Sequence, residues 1–178
     1  EFDSNEAVFE VLLKAIEAAG YRPGEEVALS LDIAASEFYR EGKYHLALED
    51  RQLDPEAYFT MLQQWMDRYP ICSVEDPFDE EDYDSWTRFT RLYGDCLQII
   101  GDDLFVTHSH RVQMGIDQQL ANSVLIKLNQ VGTVTETKRC IEQTLEAGWR
   151  PVVSARSGET EDAFIAHLAV ATQAGQLK

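Results

Sequence analysis

Four short apolar runs in this chain each end on residues able to do chemistry, and they recur at a nearly constant step. Residues 71–74 lead to Glu75, 97–100 to Gly101-Asp102-Asp103, 123–126 to Lys127, and 151–153 to Ser154-Ala155-Arg156. The end positions Glu75, Asp102, Lys127 and Ser154 stand 27, 25 and 27 residues apart. Each step has room for one strand and one helix, and strand–helix alternation builds a parallel sheet with helices outside it. No glycine-rich dinucleotide fingerprint follows the first strand, which favours a (β/α) barrel over a doubly wound sheet.

The rest of the chain fits that frame. The spacing predicts a helix over 6–19, with Val8, Leu12, Leu13, Ile16 and Ala19 on one stripe, stopped by Gly20 and Pro23-Gly24. An apolar run over 26–32 ends on Asp32, and 43–48 reads as a small extra strand. Pro55 opens a helix to Met66 whose buried stripe is Tyr58, Phe59, Leu62, Trp65 and Met66. Further helices are expected over 80–92, 111–120 and 134–146, and a last one from an N-cap at Thr160. Gln176-Leu177-Lys178 begins another strand. That makes five complete βα units and a stub, a partial barrel, since a complete one takes about 250 residues. The 178 residues read as one domain, with no linker or low-complexity tract to mark a second.

Fifteen Lys and Arg against 32 Asp and Glu give a formal charge of −17, which argues against nucleic-acid or anionic-membrane binding. No apolar run approaches the roughly 20 residues of a membrane span. The acidic start Glu1-Phe2-Asp3 is wrong for a signal peptide. Cys72, Cys96 and Cys140, odd in number and in apolar surroundings, read as reduced core thiols of a cytoplasmic protein.

In a barrel the chemistry gathers at the C-terminal strand ends, which here bear Asp32, Glu75, Asp102, Lys127 and Arg156. Three carboxylates on successive units suit a hard divalent cation such as magnesium; alternatively each is an acid at a helix start. Lys127, at the end of a buried strand, is either a neutral base or a structural ammonium paired with one of the acids. Arg156 and Ser157, ahead of a helix N-terminus, offer a guanidinium and a hydroxyl to an anion; alternatively Arg156 pairs with Glu159 or Glu161. His108-Ser109-His110 reads as surface loop, 130–133 as a βα loop with a cap, 79–82 as an acidic helix cap, and Trp65, Trp86 and Trp149 as core.

Together these motifs resemble those of the enolase (phosphopyruvate hydratase) family. Leu31-Asp32-Ile33-Ala34-Ala35-Ser36-Glu37-Phe38-Tyr39 resembles its first metal-ligand segment. Ser73-Val74-Glu75-Asp76-Pro77-Phe78, Gly101-Asp102-Asp103-Leu104 and Leu125-Ile126-Lys127-Leu128-Asn129-Gln130 follow in the family's order. So do Ser154-Ala155-Arg156-Ser157-Gly158-Glu159-Thr160-Glu161-Asp162 and Gly175-Gln176-Leu177-Lys178.

The resemblance implies an α/β fold, a partial (β/α) TIM-like barrel of the enolase type. It implies magnesium on Asp32, Glu75 and Asp102, and Lys127 as the base that takes the proton alpha to the carboxylate of 2-phosphoglycerate. Arg156, Ser157 and Lys178 would bind the substrate's anionic groups, with Glu75, Asp102 and Ser154 close to it. The activity implied is a glycolytic, cytoplasmic lyase forming phosphoenolpyruvate, a homodimer in the full-length protein. Ala155 departs from the pattern, for the family has histidine there. The alternatives are a non-catalytic scaffold or an altered substrate. Residues 1–178 are expected to be a fragment of the catalytic barrel, inactive alone, without the N-terminal domain, the barrel's ends and the general acid.

Overall fold

The computed structural model describes residues 2–156, 158 and 160–178. They form two compact units, Glu1–Asp79 and Glu80–Lys178.

In the first unit, helix α1 (Asn5–Ala18) starts at Ser4, whose hydroxyl accepts from the Ala7 N–H, and α2 (Pro55–Arg68) starts at Asp54, which accepts from the Ala57 N–H. Strand β1 (Leu29–Asp32) pairs in parallel with β5 (Ile71–Glu75). Between them β2 (Tyr39–Arg40), β3 (Lys43–Leu46) and β4 (Arg51–Leu53) form an antiparallel sheet, so the expected extra strand is the middle of three. An aromatic cluster holds it down. Tyr44 stacks on Tyr58 with centroids 3.9 Å apart, Phe59 stacks on Phe78 at 5.6 Å, and the Tyr44 hydroxyl accepts from the Asp79 N–H at 3.1 Å.

Two helical faces differ from the expected stripes. Of α1 only Phe9 is buried, edge-on to Trp65 at 5.2 Å and Tyr69 at 5.0 Å, while Glu6 and Glu10 reach Arg68 of α2 at 3.3 and 3.2 Å along the exposed edge. On α2, Met61 rather than Met66 completes the buried face.

The second unit contains α3 (Tyr83–Tyr93), β6 (Gln98–Gly101), α4 (Ser109–Gln118), β7 (Ser123–Ile126), α5 (Leu128–Val131), α6 (Val134–Glu146), β8 (Arg150–Val153), α7 (Phe164–Ala171) and β9 (Gln176–Leu177). Strands β6 to β9 pair in sequence order, all parallel. Their pleat sorts side chains into rows on one face. Gln98, Ser123 and Gln176 form one row, buried Ile100, Leu125 and Val152 the next.

The sheet is curved. In a flat sheet β6 and β9 would lie roughly 14 Å apart, yet Gln98 and Gln176 exchange hydrogen bonds of 2.6 and 3.1 Å between their side-chain amides. Only a concave face brings them that close, and concavity is what strands of a closed barrel require.

The acidic run does cap a helix, since Asp82 accepts from the Ser85 N–H. The last helix begins at Phe164, later than the expected Thr160, with Ala163 as an N-cap that offers no side-chain acceptor; just ahead of it the Asp162 carboxylate takes the Phe164 N–H at 2.8 Å. Trp65 and Trp86 are core, whereas Trp149 is half-buried with its ring 5.9 Å from that of Phe105. Among the described residues no helix is long and apolar enough to cross a membrane.

The cysteines also differ from expectation. Only Cys140 is in the core, while Cys72 and Cys96 are exposed. Burial pushes the Cys140 thiol up to about 12, with the Thr144 hydrogen bond a smaller opposing effect. The thiolate is the reactive form, so a disulfide-exchange reagent at pH 8 should titrate Cys72 and Cys96 rapidly and Cys140 only after denaturant is added. Rapid reaction of all three in the native protein would contradict this burial.

Candidate active site

In the first unit the β1–β5 register sets Ser30 opposite Ser73 and Asp32 opposite Glu75. The Ser30 and Ser73 hydroxyls lie 2.6 Å apart, so the face they share continues two residues on to the two carboxylates. Asp32 is exposed and Glu75 buried. The chain leaves β5 through buried Asp76, held at φ 43°. The Ile33 N–H donates to the Glu75 carbonyl at 3.0 Å, tying the two strand ends together.

In the second unit the row beyond Ile100, Leu125 and Val152 is Asp102, Lys127 and Ser154, each at or just past the C-terminal end of its strand. The Lys127 ammonium pairs with Asp102 Oδ2, both side chains nearly buried. Of the two sequence alternatives for Lys127, the structure contains the pair with an acid.

Two residues not singled out in the sequence complete this pair. Gln130 Nε2 donates to Asp102 Oδ1 at 2.9 Å, and Gln130 Oε1 accepts from the Thr107 hydroxyl at 2.5 Å. Thr107 Oγ1 in turn accepts from the Lys127 backbone N–H at 2.9 Å, which closes a ring of four residues. Residues 130–133 are thus more than a capped loop. Helix α5 carries Gln130 one turn past Lys127, then ends at Gly132, and the Thr133 hydroxyl caps α6 by accepting from Glu136.

Phe105 shapes the loop that brings Thr107 to this ring. Its fully buried ring fills a slot between Gly101 and Gly115. A Cβ on Gly101 would stand 2.5 Å from its Cδ2, and one on Gly115 would stand 2.6 Å from its Cζ, so neither position has room for a side chain. Beyond the ring, Val106 and Thr107 are both left-handed, at φ 43° and 57°. That conformation is rare for β-branched residues and costs about 1–3 kcal/mol each.

Buried Ser154 donates its N–H to the Ile126 carbonyl and its hydroxyl to the Ala155 carbonyl, both at 2.9 Å. The Lys178 N–H donates to the Val153 carbonyl at 2.9 Å, which sets Lys178 just past the end of β9. Arg156 is exposed and Ser157 lies outside the described residues, as does Glu159. The helix N-terminus expected directly behind Arg156 and Ser157 is at Phe164 instead, so its free N–H groups are not next to them in sequence. His108 and His110 are exposed; His108 lies in the loop as the N-cap of α4, its Nδ1 accepting from the His110 N–H, while Ser109 and His110 begin the helix. Among the described residues they join no group of three possible metal ligands.

Parallel βα units with ionisable side chains at the C-terminal strand ends define a protein of the (β/α)-barrel enzyme class. The family model described as enolase, C-terminal TIM barrel domain, matches residues 1–178, the whole chain, and the chain belongs to that family. Its function is accordingly of the enolase-superfamily kind, and its fold is part of a TIM barrel.

Proposed function

We propose that this chain is the central part of the catalytic barrel of a magnesium-dependent lyase that dehydrates 2-phosphoglycerate to phosphoenolpyruvate. It acts in glycolysis, in the cytoplasm, within a longer homodimeric protein that supplies the remaining barrel strands, an N-terminal domain and the general acid. The observation that carries the reading is the Lys127–Asp102 pair at the ends of adjacent parallel strands, on the face where a barrel does its chemistry.

Lys127 Nζ, once neutral, takes the proton from C2 of the substrate. The electron pair left behind forms the C2–C3 double bond as the C3 hydroxyl departs, and the general acid outside this chain protonates it to water. Arg156, Ser157 and Lys178 hold the substrate's anionic groups, with Ser154, Glu75 and Asp102 beside it. The donor set Asp32, Glu75 and Asp102 is all carboxylate oxygen, which fits magnesium. When bound, the metal supplies positive charge against the substrate carboxylate as its alpha proton is lost. A lysine base beside one or two magnesium ions is the general pattern of enolase-superfamily sites.

Ala155 favours a second reading. A methyl group neither donates, accepts nor carries a proton, and a protein without turnover would keep the scaffold alone. Both readings are tested by phosphoenolpyruvate formation from 2-phosphoglycerate, with and without magnesium, by the full-length protein and its Ala155→His variant. Magnesium-dependent turnover by the unmodified protein is the expected result. Turnover only in the histidine variant would establish the scaffold reading, and none in either would point to a different substrate.

A further inference from the structure

The geometry points to Thr107 and Gln130 as positioning residues for the base, an inference that rests on the reading of Lys127 just given. Together they tie its backbone and the partner of its ammonium into one ring. The Lys127 N–H is fixed by Thr107 Oγ1, Thr107 by Gln130 Oε1, and Gln130 Nε2 by the same carboxylate that holds Lys127 Nζ. Lys127 is therefore held at both ends of its long side chain, at the backbone and at the ammonium. A lysine has several free torsions, and fixing both ends removes the freedom that would let Nζ wander from a reacting C–H bond.

The loop conformation supports the same conclusion. Thr107 is fully buried, left-handed and preceded by a second left-handed β-branched residue, in a loop anchored by Phe105. Glycine or asparagine would meet the backbone requirement at lower cost. What threonine adds is a hydroxyl that accepts from Lys127 and donates to Gln130 at once. Strain of this kind persists where the surrounding structure over-determines it, and it clusters at functional sites.

The test uses Thr107→Val, which keeps the shape and removes the hydroxyl, Thr107→Ser, which restores a hydroxyl, and Gln130→Met at a half-buried position that does not threaten folding. Loss of either link is expected to lower kcat about 10- to 100-fold, as for outer-shell partners of catalytic ligands, with KM little changed. Thr107→Ser should recover most of that loss, and the double variant Thr107→Val with Gln130→Met should be little worse than either single one, because both break one ring. Independently of turnover, amide hydrogen exchange at Lys127 should accelerate in Thr107→Val and Gln130→Met while the melting temperature stays nearly constant. If the unmodified protein does not turn over 2-phosphoglycerate, the functional reading fails and the exchange result alone decides the positioning. Unchanged Lys127 protection in Gln130→Met would overturn the inference, as would kcat within twofold of the parent in an active protein.

Discussion

With Lys127 as the proposed base, Lys127→Met is expected to lower kcat for the proposed dehydration by about 10²–10⁴-fold, the usual contribution of a positioned general base. It is also expected to destabilise the protein, because Asp102 Oδ2 loses the ammonium it faces. Breaking a nearly buried ion pair from one side costs up to about 3–5 kcal/mol, since a charge is left without its counterpart. The two losses separate in the double variant Lys127→Met with Asp102→Asn. Neutralising the carboxylate restores much of the stability measured by urea unfolding, while activity stays lost. A Lys127→Met protein that keeps more than a tenth of the parental kcat would show that the base is some other group.

Phe105→Ala has the largest effect expected on stability alone. Removing a fully buried phenyl typically costs about 3–5 kcal/mol, and the slot between Gly101 and Gly115 is backbone on two sides, so it collapses poorly. For a protein of this size each kcal/mol shifts the melting temperature by about 2–4 °C, so a fall of about 6–20 °C is expected. Gly115→Ala approaches the same ring from the other side and should be destabilising by about 1–3 kcal/mol through overpacking. Combined with Phe105→Leu, which shortens the occupant, it should cost less than the sum of the two single changes. A Phe105→Ala protein melting within about 2 °C of the parent would show that the ring is not what anchors this loop.

The strand ends were legible in the sequence because each is a run of β-formers that gives way within one or two residues to a polar or charged side chain, and the near-constant step repeated the signal. The structure places Asp32, Glu75, Asp102, Lys127 and Ser154 at such ends. Thr107 and Gln130 were not legible. Their alignment depends on two left-handed β-branched residues and on a one-turn helix after Lys127, none of which follows from propensity. Gln130 stands in the Leu125–Gln130 segment that resembles the family, but nothing in the sequence ties it to Asp102 or Thr107. The start of α7 differs because Thr160, a good cap by residue type, is not where the helix begins: the N-cap is Ala163, and Asp162 takes the Phe164 N–H in a local turn. Cys72 is exposed because neighbours along a strand point to alternate faces and do not bury the residue between them, and Cys96 because it lies in the turn between α3 and β6.

The rows on the concave face impose a rule of parity on this chain's history. Gln98, Ile100 and Asp102 share one side of the pleat, as do Ser123, Leu125 and Lys127. Losing or gaining a single residue inside β6 or β7 would exchange the two sides, turning the carboxylate or the ammonium outward among the helices and an apolar side chain inward. Whatever lineage produced this sequence could lengthen its loops one residue at a time, but inside these strands only paired changes leave the face intact.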